Sequence, residues 1–366
     1  MDVHFNAYKC KYELMNGWIS PYTRSMKVKS VKIFVNLDDF FHTLFKPLTN
    51  NEFEVCGKDA GKQFLSNVFN LLAHYRYWAV KNKYEVEIYG FYSSSDTFKN
   101  RIYRENYRKK ANSYIKENKY FYVKDAILNA LPLVSVISAY IPKVYIVDTK
   151  YLEPSIFPSY ITSKYGESDL NILISRDIYD LQYAYRDHWI YISPKGDNST
   201  FIHKGNMWDY INYKEHIYSD NRDLHYPPKM LILAKAIVGD KYRDIPRLRS
   251  IGWKTLFKYL DQIQERIYED NYVLLELELR ELLKGKLITD SLLQANINCI
   301  DIDQQITTLT EIDRAVIDRQ LVDIEDFENL KMLNKVKLSR YPLNLKFLCD
   351  TASKPLPFTG DQWRKP

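Results

Sequence analysis

Short apolar runs alternate with longer polar stretches over the first two thirds of the chain. Five runs rich in β-branched and aromatic residues predict buried strands, at residues 31–37, 85–92, 143–148, 170–174 and 189–192. Apolar residues at helical spacing predict a core helix over 62–82, and a short helix is predicted over 157–166. Strands that alternate with helices predict an α/β fold around a central, mostly parallel sheet.

Helical patterns dominate the last third of the chain. An apolar run at 230–238 leads into a polar turn that begins at Gly239, and a new helical pattern opens at Ile251. The strongly charged stretch 256–345 is predicted to be helical, for example over 274–284 and 310–333. We expect these helices either to brace the turn or to bind a partner.

Composition narrows the class of protein. With 366 residues, 46% of them hydrophobic, the chain can bury a large core. Its net charge of +6 is modest for a nucleic-acid-binding protein, so the charge favours nucleic-acid binding only where the 52 Lys and Arg residues cluster. The four cysteines show no CxxC spacing, which indicates neither a zinc site nor a disulfide framework and fits a reducing cytoplasm. The sequence shows no signal peptide and no apolar run of about 18 residues, so we expect a soluble cytoplasmic protein.

Two acidic residues directly follow the first predicted strand. Asp38 and Asp39 lie at the carboxyl end of a strand, where α/β folds place their chemistry. The same residues also fit a simpler role as caps of the helix that begins there. The sequence leaves both interpretations open.

Basic residues cluster between the second and third predicted strands. Six of the twelve positions from 99 to 110 are Lys or Arg, and Tyr103 and Tyr107 are interleaved with them. This mixture suits a surface that follows a nucleic-acid backbone and stacks on its bases, whereas a solvated basic helix is the simpler alternative. The candidate nucleic-acid-binding residues of this segment are Lys99, Arg101, Arg104, Arg108 and Lys109.

The turn after the apolar run at 230–238 is a second candidate surface. Gly252 lets a ligand approach the backbone closely because it has no Cβ. We expect the amides of residues 252–255 to be unpaired at a helix N-terminus, where a phosphate binds readily. An ordinary helical hairpin with basic solvent-facing residues is the alternative. The candidate binding residues here are Arg247, Arg249, Gly252, Lys254 and Thr255.

The order of residues around this turn resembles the helix–hairpin–helix segment of the 5′-nuclease superfamily. That superfamily comprises flap endonucleases, phage RNase H and the 5′-nuclease domains of bacterial DNA polymerases. The matching residues in this segment are Gly239, Asp240, Ile245, Pro246, Ile251, Gly252, Lys254 and Thr255. The family's arch-opening segment is matched by Thr97, Phe98, Lys99, Tyr107 and Arg108, and its fourth-strand motif by Asp177, Leu181 and Gln182.

The resemblance spans residues 30–260 and implies a PIN-like 5′-nuclease α/β core with a basic helical arch, a helix–hairpin–helix and a C-terminal helical region. The implied organisation is an N-terminal extension (1–29), the core (30–228) with its arch (93–131), the hairpin segment (229–270), a helical region (271–350) and a flexible tail (351–366). The Pro-rich tail also fits a peptide ligand for a partner protein, although a plain disordered terminus is the simpler interpretation.

5′-Nucleases hold divalent metal ions with carboxylates at the ends of their central strands, and this chain keeps few of these carboxylates. The resemblance retains Glu153, Asp177 and Asp240 as catalytic remnants that would bind Mg²⁺ or Mn²⁺. The other carboxylate positions are occupied by Asn36, Tyr92, Ser155, Ile156, Tyr179 and Arg243. The neighbouring acids that could replace them are Asp38, Asp39, Asp96, Asp180 and Asp244. We expect an absent or much reduced metal site.

The leading interpretation is a nucleic-acid-binding protein of a phage or virus, located in the host cytoplasm and shaped like a flap endonuclease with catalysis lost or attenuated. Its expected ligand is DNA or RNA at a junction between single strand and duplex, in replication or processing. One alternative is an active, metal-dependent 5′→3′ exonuclease or flap endonuclease. Another is a structural subunit of a replication or transcription complex that contacts a partner protein through its C-terminal region.

Overall fold

A single six-stranded sheet forms the centre of the protein. The computed structural model describes residues 27–38, 68, 71–72, 75–76, 78–93, 143–150, 152–193, 200–218, 226–240, 245–248, 251–264, 272–284 and 290–321. The strands are β1 (Ser30–Asn36), β2 (Glu85–Tyr92), β3 (Val144–Asp148), β4 (Leu170–Ile174), β5 (Trp189–Ser193) and β6 (Thr200–Ile202). They are arranged in the order β3-β2-β1-β4-β5-β6.

The sheet confirms the α/β fold class that the sequence predicts. β1 to β5 are parallel to their neighbours, and only β6 runs antiparallel, to β5. The five predicted strands lie within one residue of the observed bounds. β6 was not predicted, because a strand of three residues is too short to show a period.

The strands at the centre are apolar because both of their faces are covered. All five residues of β4 are buried, and so are six of the seven residues of β1. The ring of Phe34 stacks between Tyr89 at 5.2 Å and Trp189 at 5.6 Å. A lysine on β1 is also buried, and Lys32 Nζ donates a hydrogen bond of 2.6 Å to the carbonyl of Gly166. This hydrogen bond stabilises the Lys32 ammonium group, which would otherwise be costly to bury.

Helices follow and cover the sheet. The helices with full bounds are α1 (Phe157–Tyr165), α2 (Met207–Glu215), α3 (Met230–Val238), α4 (Trp253–Gln264), α5 (Tyr272–Lys284), α6 (Asp290–Ile300), α7 (Ile302–Thr307) and α8 (Glu311–Asp318). Two 3₁₀-helices span Pro154–Ile156 and Ile178–Tyr185, and the described residues among 68–81 are helical. No helix in the described ranges is long and apolar enough to span a membrane.

The predicted helix over 310–333 does not continue past Asp318 in the described residues, and residues 322–333 lie outside them. α8 begins at a capping box in which Thr310 and Asp313 exchange hydrogen bonds, and it ends at Asp318. Residues 319–321 turn back toward the sheet, where the side-chain amide of Gln320 accepts from the Asp148 amide and donates to its carbonyl, both at 2.9 Å. The Gln320 side chain thus pairs with the edge strand β3 in the way that the backbone of a neighbouring strand would.

The C-terminal helices pack against the core. This packing supports the expectation that they brace the turn after α3. Asn296 on α6 is fully buried and donates to the carbonyls of Ala236, at 2.7 Å, and Pro246, at 3.1 Å. The side chain of Gln182 donates to the carbonyl of Ile300, at 2.9 Å. α6 therefore joins the turn after α3 to the 3₁₀-helix that follows β4.

Candidate active site and nucleic-acid interface

The carboxyl ends of the parallel strands bring together positions at which the resemblance implies metal-binding carboxylates. Asn36 ends β1, Tyr92 ends β2, Asp148 ends β3, and Ser175 directly follows β4. Because these strands are parallel neighbours, their carboxyl ends lie along one edge of the sheet. We call this edge, with the loops that follow it, the carboxyl edge.

A buried hydrogen-bond network occupies the centre of the carboxyl edge. Asp180 Oδ2 accepts from Ser175 Oγ at 2.6 Å and from Asn36 Nδ2 at 3.4 Å. Asp180 and Ser175 are fully buried, and Asn36 is nearly so. Asn36 Oδ1 is buried and, within the described part of the chain, has no hydrogen-bond partner. The two hydrogen bonds described at Asp180 Oδ2 thus both come from neutral donors.

Asp177 has a local structural role beside this network. Its Oδ1 accepts from the Tyr179 amide at 2.9 Å, which caps the 3₁₀-helix at Ile178–Tyr185. The cap turns the chain so that the side chain of Asp180 reaches the end of β1. Asp180 therefore contacts β1, whereas the Tyr179 hydroxyl donates to the Cys299 carbonyl at 3.2 Å.

Acidic groups also surround the end of β2. The carboxylate of Asp38 accepts from the Ser93 amide, with its oxygens at 3.2 and 3.4 Å. Burial, reinforced by the negative charges of Asp148 and Asp38, raises the pKa of the Tyr92 phenol above its ordinary value. Tyr92 is therefore neutral at physiological pH, at a position where the resemblance implies a carboxylate.

The two other remnant carboxylates lie in different backbone settings. Glu153 is fully buried and immediately precedes the 3₁₀-helix at Pro154–Ile156. Asp240 is half-buried and forms an antiparallel bridge with Ile245, whose two backbone hydrogen bonds measure 2.9 and 3.0 Å. Asp39, Asp96 and Asp244 lie outside the described residues.

The described residues do not fit a site for two divalent ions. Mg²⁺ and Mn²⁺ bind oxygen ligands, and two such ions need several carboxylates to screen their mutual repulsion. Among the described residues, no three His, Cys, Asp or Glu side chains converge on one point. The carboxylates at this edge accept hydrogen bonds from the protein itself, and the strand ends add an amide and a phenol.

The turn between α3 and α4 is held by its own backbone. Gly239 has a φ of +75°, and a Cβ added there would lie 2.6 Å from the Arg247 amide nitrogen and the Ile245 carbonyl oxygen. The Asp240–Ile245 bridge closes the turn, and Arg247 Nε donates to the last carbonyl of α3, on Val238, at 3.4 Å. The cation at this helix C-terminus is favourable because the free carbonyls there carry partial negative charge.

The start of α4 presents an exposed polar surface. Lys254 and Thr255 are exposed, as is the Arg247 side chain that lies beside Gly252. The expectation that the Thr255 amide is unpaired is wrong, because it donates to the carbonyl of Gly252 at 3.1 Å. This i to i+3 bond tightens the first turn of the helix. Arg249, the fifth candidate of this surface, lies outside the described residues.

The basic segment of the predicted arch lies outside the described residues. This applies to Lys99, Arg101, Arg104, Arg108 and Lys109. Their role in binding nucleic acid stays a prediction, as do the predicted domain boundaries.

Two solved structures share the fold. One is a pseudo-enzyme form of the bacteriophage T5 flap endonuclease in complex with product DNA and metal ions, with 13% identity and a TM-score of 0.53 over 88% of this chain and 100% of that chain. The other is the T5 5′-exonuclease with bound zinc, with 13% identity and a TM-score of 0.50 over 88% of this chain and 99% of that chain. No protein-family model and no curated protein sequence matches the chain.

The chain has a 5′-nuclease fold. At 13% identity the likeness concerns the fold, so the chemistry depends on this chain's own residues. Within the 5′-nuclease fold, the sequence did not reveal the roles of Ser175 and Asn296. The sequence contains a feature that could have identified each residue. Ser175 follows a buried strand at the carboxyl edge, and Asn296 interrupts the apolar face of α6 between Leu293 and Ile297.

Proposed function

We propose that this protein binds nucleic acid through a 5′-nuclease fold whose metal-dependent catalysis is lost or attenuated. The network at the centre of the carboxyl edge carries the proposal, because Asp180 accepts hydrogen bonds from two neutral side chains, those of Asn36 and Ser175. Phosphodiester hydrolysis by 5′-nucleases needs divalent ions that neutralise the scissile phosphate and generate hydroxide. One carboxylate between neutral donors attracts such ions much less strongly than a cluster of carboxylates does.

The proposed binding surface is the start of α4, together with the basic arch. Lys254 and Arg247 are exposed, and a Cβ at Gly252 would come no closer than 3.8 Å to the Arg247 side chain. Only the flexible Arg247 side chain therefore lies in van der Waals range of that position, which favours close approach of a phosphate. The T5 flap endonuclease structure contains DNA, which supports DNA as the ligand. The proposed target is a junction of single strand and duplex in phage or viral replication.

An active 5′→3′ exonuclease is a second candidate, favoured by the placement of Asp180. This carboxylate reaches the end of β1, although the sequence position expected to supply it is Tyr179. Displaced carboxylates would restore part of the charge that substitution removed. Asp38, which binds the Ser93 amide, is another acid at the same edge.

Cleavage of a 5′-labelled flap substrate, first with Mg²⁺ and then with Mn²⁺, tests the proposal directly. We expect tight binding of the substrate and no metal-dependent release of labelled product. Asp177→Asn and Asp180→Asn serve as comparison variants, since each keeps an oxygen that can accept the observed hydrogen bonds. Cleavage by the natural sequence that either variant abolishes would establish the active enzyme instead.

Lys254→Ala is expected to weaken binding to a forked duplex by about threefold to tenfold at physiological salt. If the lysine contacts one phosphate, the slope of log affinity against log salt concentration should fall by about one. The matched control is Lys204→Ala, which removes an exposed lysine paired with Asp187 and should leave the slope unchanged. Titration by fluorescence anisotropy at several salt concentrations measures both, and equal slopes for both variants would contradict this interface.

The double variant Lys99→Ala with Arg108→Ala tests the arch in the same assay. We expect a larger loss of affinity than for Lys254→Ala, because two charges are removed from the proposed single-strand path. Unchanged affinity would remove the arch from the binding surface. Circular dichroism of the variant controls for folding.

A further inference from the structure

Asn36 and Asp180 form a close pair at the centre of the carboxyl edge. Asn36 Nδ2 lies 3.4 Å from Asp180 Oδ2, and Ser175 Oγ lies 2.6 Å from the same oxygen. The pair joins the central strand β1 to the 3₁₀-helix after β4, two elements that the surrounding core fixes. The amide oxygen, Asn36 Oδ1, and the second carboxylate oxygen, Asp180 Oδ1, are both buried and accept no hydrogen bond in the ranges that the structure describes.

These donors take the place of a cation. The amide hydrogens of Asn36 and the hydroxyl hydrogen of Ser175 carry partial positive charge and point at the Asp180 carboxylate, so they stabilise its negative charge without a metal. The same hydrogens would repel a divalent ion approaching that oxygen. Asp180 Oδ2 is therefore satisfied without a metal ion, whereas Asp180 Oδ1 and Asn36 Oδ1 accept no hydrogen bond in the described part of the chain.

We propose that Asn36 closes a latent divalent-cation site, and that a single change of its amide to a carboxylate opens it. Asn36→Asp keeps an oxygen at the Oδ1 position and places a charged oxygen where Nδ2 now lies, 3.4 Å from Asp180 Oδ2. Two carboxylate oxygens at that separation repel each other unless a cation or a proton lies between them. This inference rests on the proposed function, since it gives the loss of catalysis a physical cause.

Isothermal titration of the full-length protein with Mn²⁺ alone tests the inference without any nuclease assay. We expect the natural sequence to show no binding that depends on Asp180, and Asn36→Asp to bind Mn²⁺ at least tenfold more tightly. The gain should disappear in the double variant Asn36→Asp with Asp180→Asn. A Mn²⁺-dependent rise in the melting temperature of Asn36→Asp, absent from the natural sequence, provides an independent readout.

Two results would overturn the inference. The first is a folded Asn36→Asp variant whose Mn²⁺ affinity equals that of the natural sequence. The second is Mn²⁺ binding by the natural sequence that Asp180→Asn abolishes, because the site would then already hold a cation with Asn36 as a ligand. The second result needs only the mild Asp180→Asn change, so the test survives if Asn36→Asp does not fold.

The flap-cleavage assay separates this inference from the proposed function. If the natural sequence cleaves the substrate while its Mn²⁺ binding is insensitive to Asp180→Asn, the proposed loss of catalysis is wrong and the closed site at Asn36 stands. If the natural sequence does not cleave but Asn36→Asp gains no Mn²⁺ affinity, the loss of catalysis stands and its cause lies elsewhere.

Discussion

Replacing Gly239 with alanine is expected to lower the free energy of unfolding by about 2 to 5 kcal/mol. Two costs add up in this figure. Gly239 has φ +75° and ψ 176°, a region that is strained for any residue with a Cβ. The added Cβ would also lie 2.6 Å from Ile245 O and from Arg247 N, so the turn after α3 would have to open. Urea unfolding followed by circular dichroism measures the loss.

Gly166 provides a matched control for the steric part of this prediction. It has nearly the same backbone conformation, with φ +79° and ψ 161°, but a Cβ there would meet no atom within 4 Å. Gly166→Ala should therefore cost only the backbone strain, about 1 to 3 kcal/mol. Equal losses for Gly166→Ala and Gly239→Ala would show that the turn does not enclose Gly239 as tightly as described.

Asn296→Leu is expected to lower the free energy of unfolding by about 2 to 5 kcal/mol and to weaken nucleic-acid binding as well. The leucine has a similar branched shape, but it removes the donor that now binds the carbonyls of Ala236 and Pro246, of which the Ala236 carbonyl would be left buried without it. The Ala236 carbonyl lies in the last turn of α3, where helical carbonyls lack partners within the helix. The turn and the start of α4 would lose their support from α6.

Asn298→Leu is the control for this second prediction. Asn298 lies on the same helix but is only half-buried, and its observed hydrogen bond is an exposed one from Gln294 at 2.9 Å. Its replacement should cost less than about 1 kcal/mol and leave affinity unchanged. If the two variants lose equal stability, the contact of Asn296 with the turn is not what holds α6 in place. Unfolding and forked-duplex binding are both measured on each variant.

Strand positions were readable from the sequence because the sheet is parallel and buried on both faces. Such strands appear as continuous apolar runs, and β2 and β4 were predicted with their observed bounds. The short strand β6 and the end of α8 were not predicted. Both depend on distant partners, since β6 pairs with β5 and the chain after α8 turns to place Gln320 on β3.

The carboxyl edge was predictable as a location but not as a network. The end of the first predicted strand identified Asp38 and Asp39, and the family resemblance identified Asn36, Tyr92 and Asp177. The sequence could not show that the Asp177 cap brings Asp180 to β1, because the turn of a 3₁₀-helix changes which side chain faces the sheet. The pairing of Asp180 with Asn36 joins residues 144 positions apart, and no local pattern contains that information.

The contacts of Gln320 also cover part of the edge strand β3, and they can form only late in synthesis. β3 is an edge strand whose Asp148 amide and carbonyl are satisfied by a side chain 172 residues later in the chain. A nascent or proteolysed chain that ends before residue 320 leaves those groups open, and an open strand edge is a template for pairing with another chain. Shortened forms of this protein should therefore self-associate through β3, although every strand of the sheet is present in them.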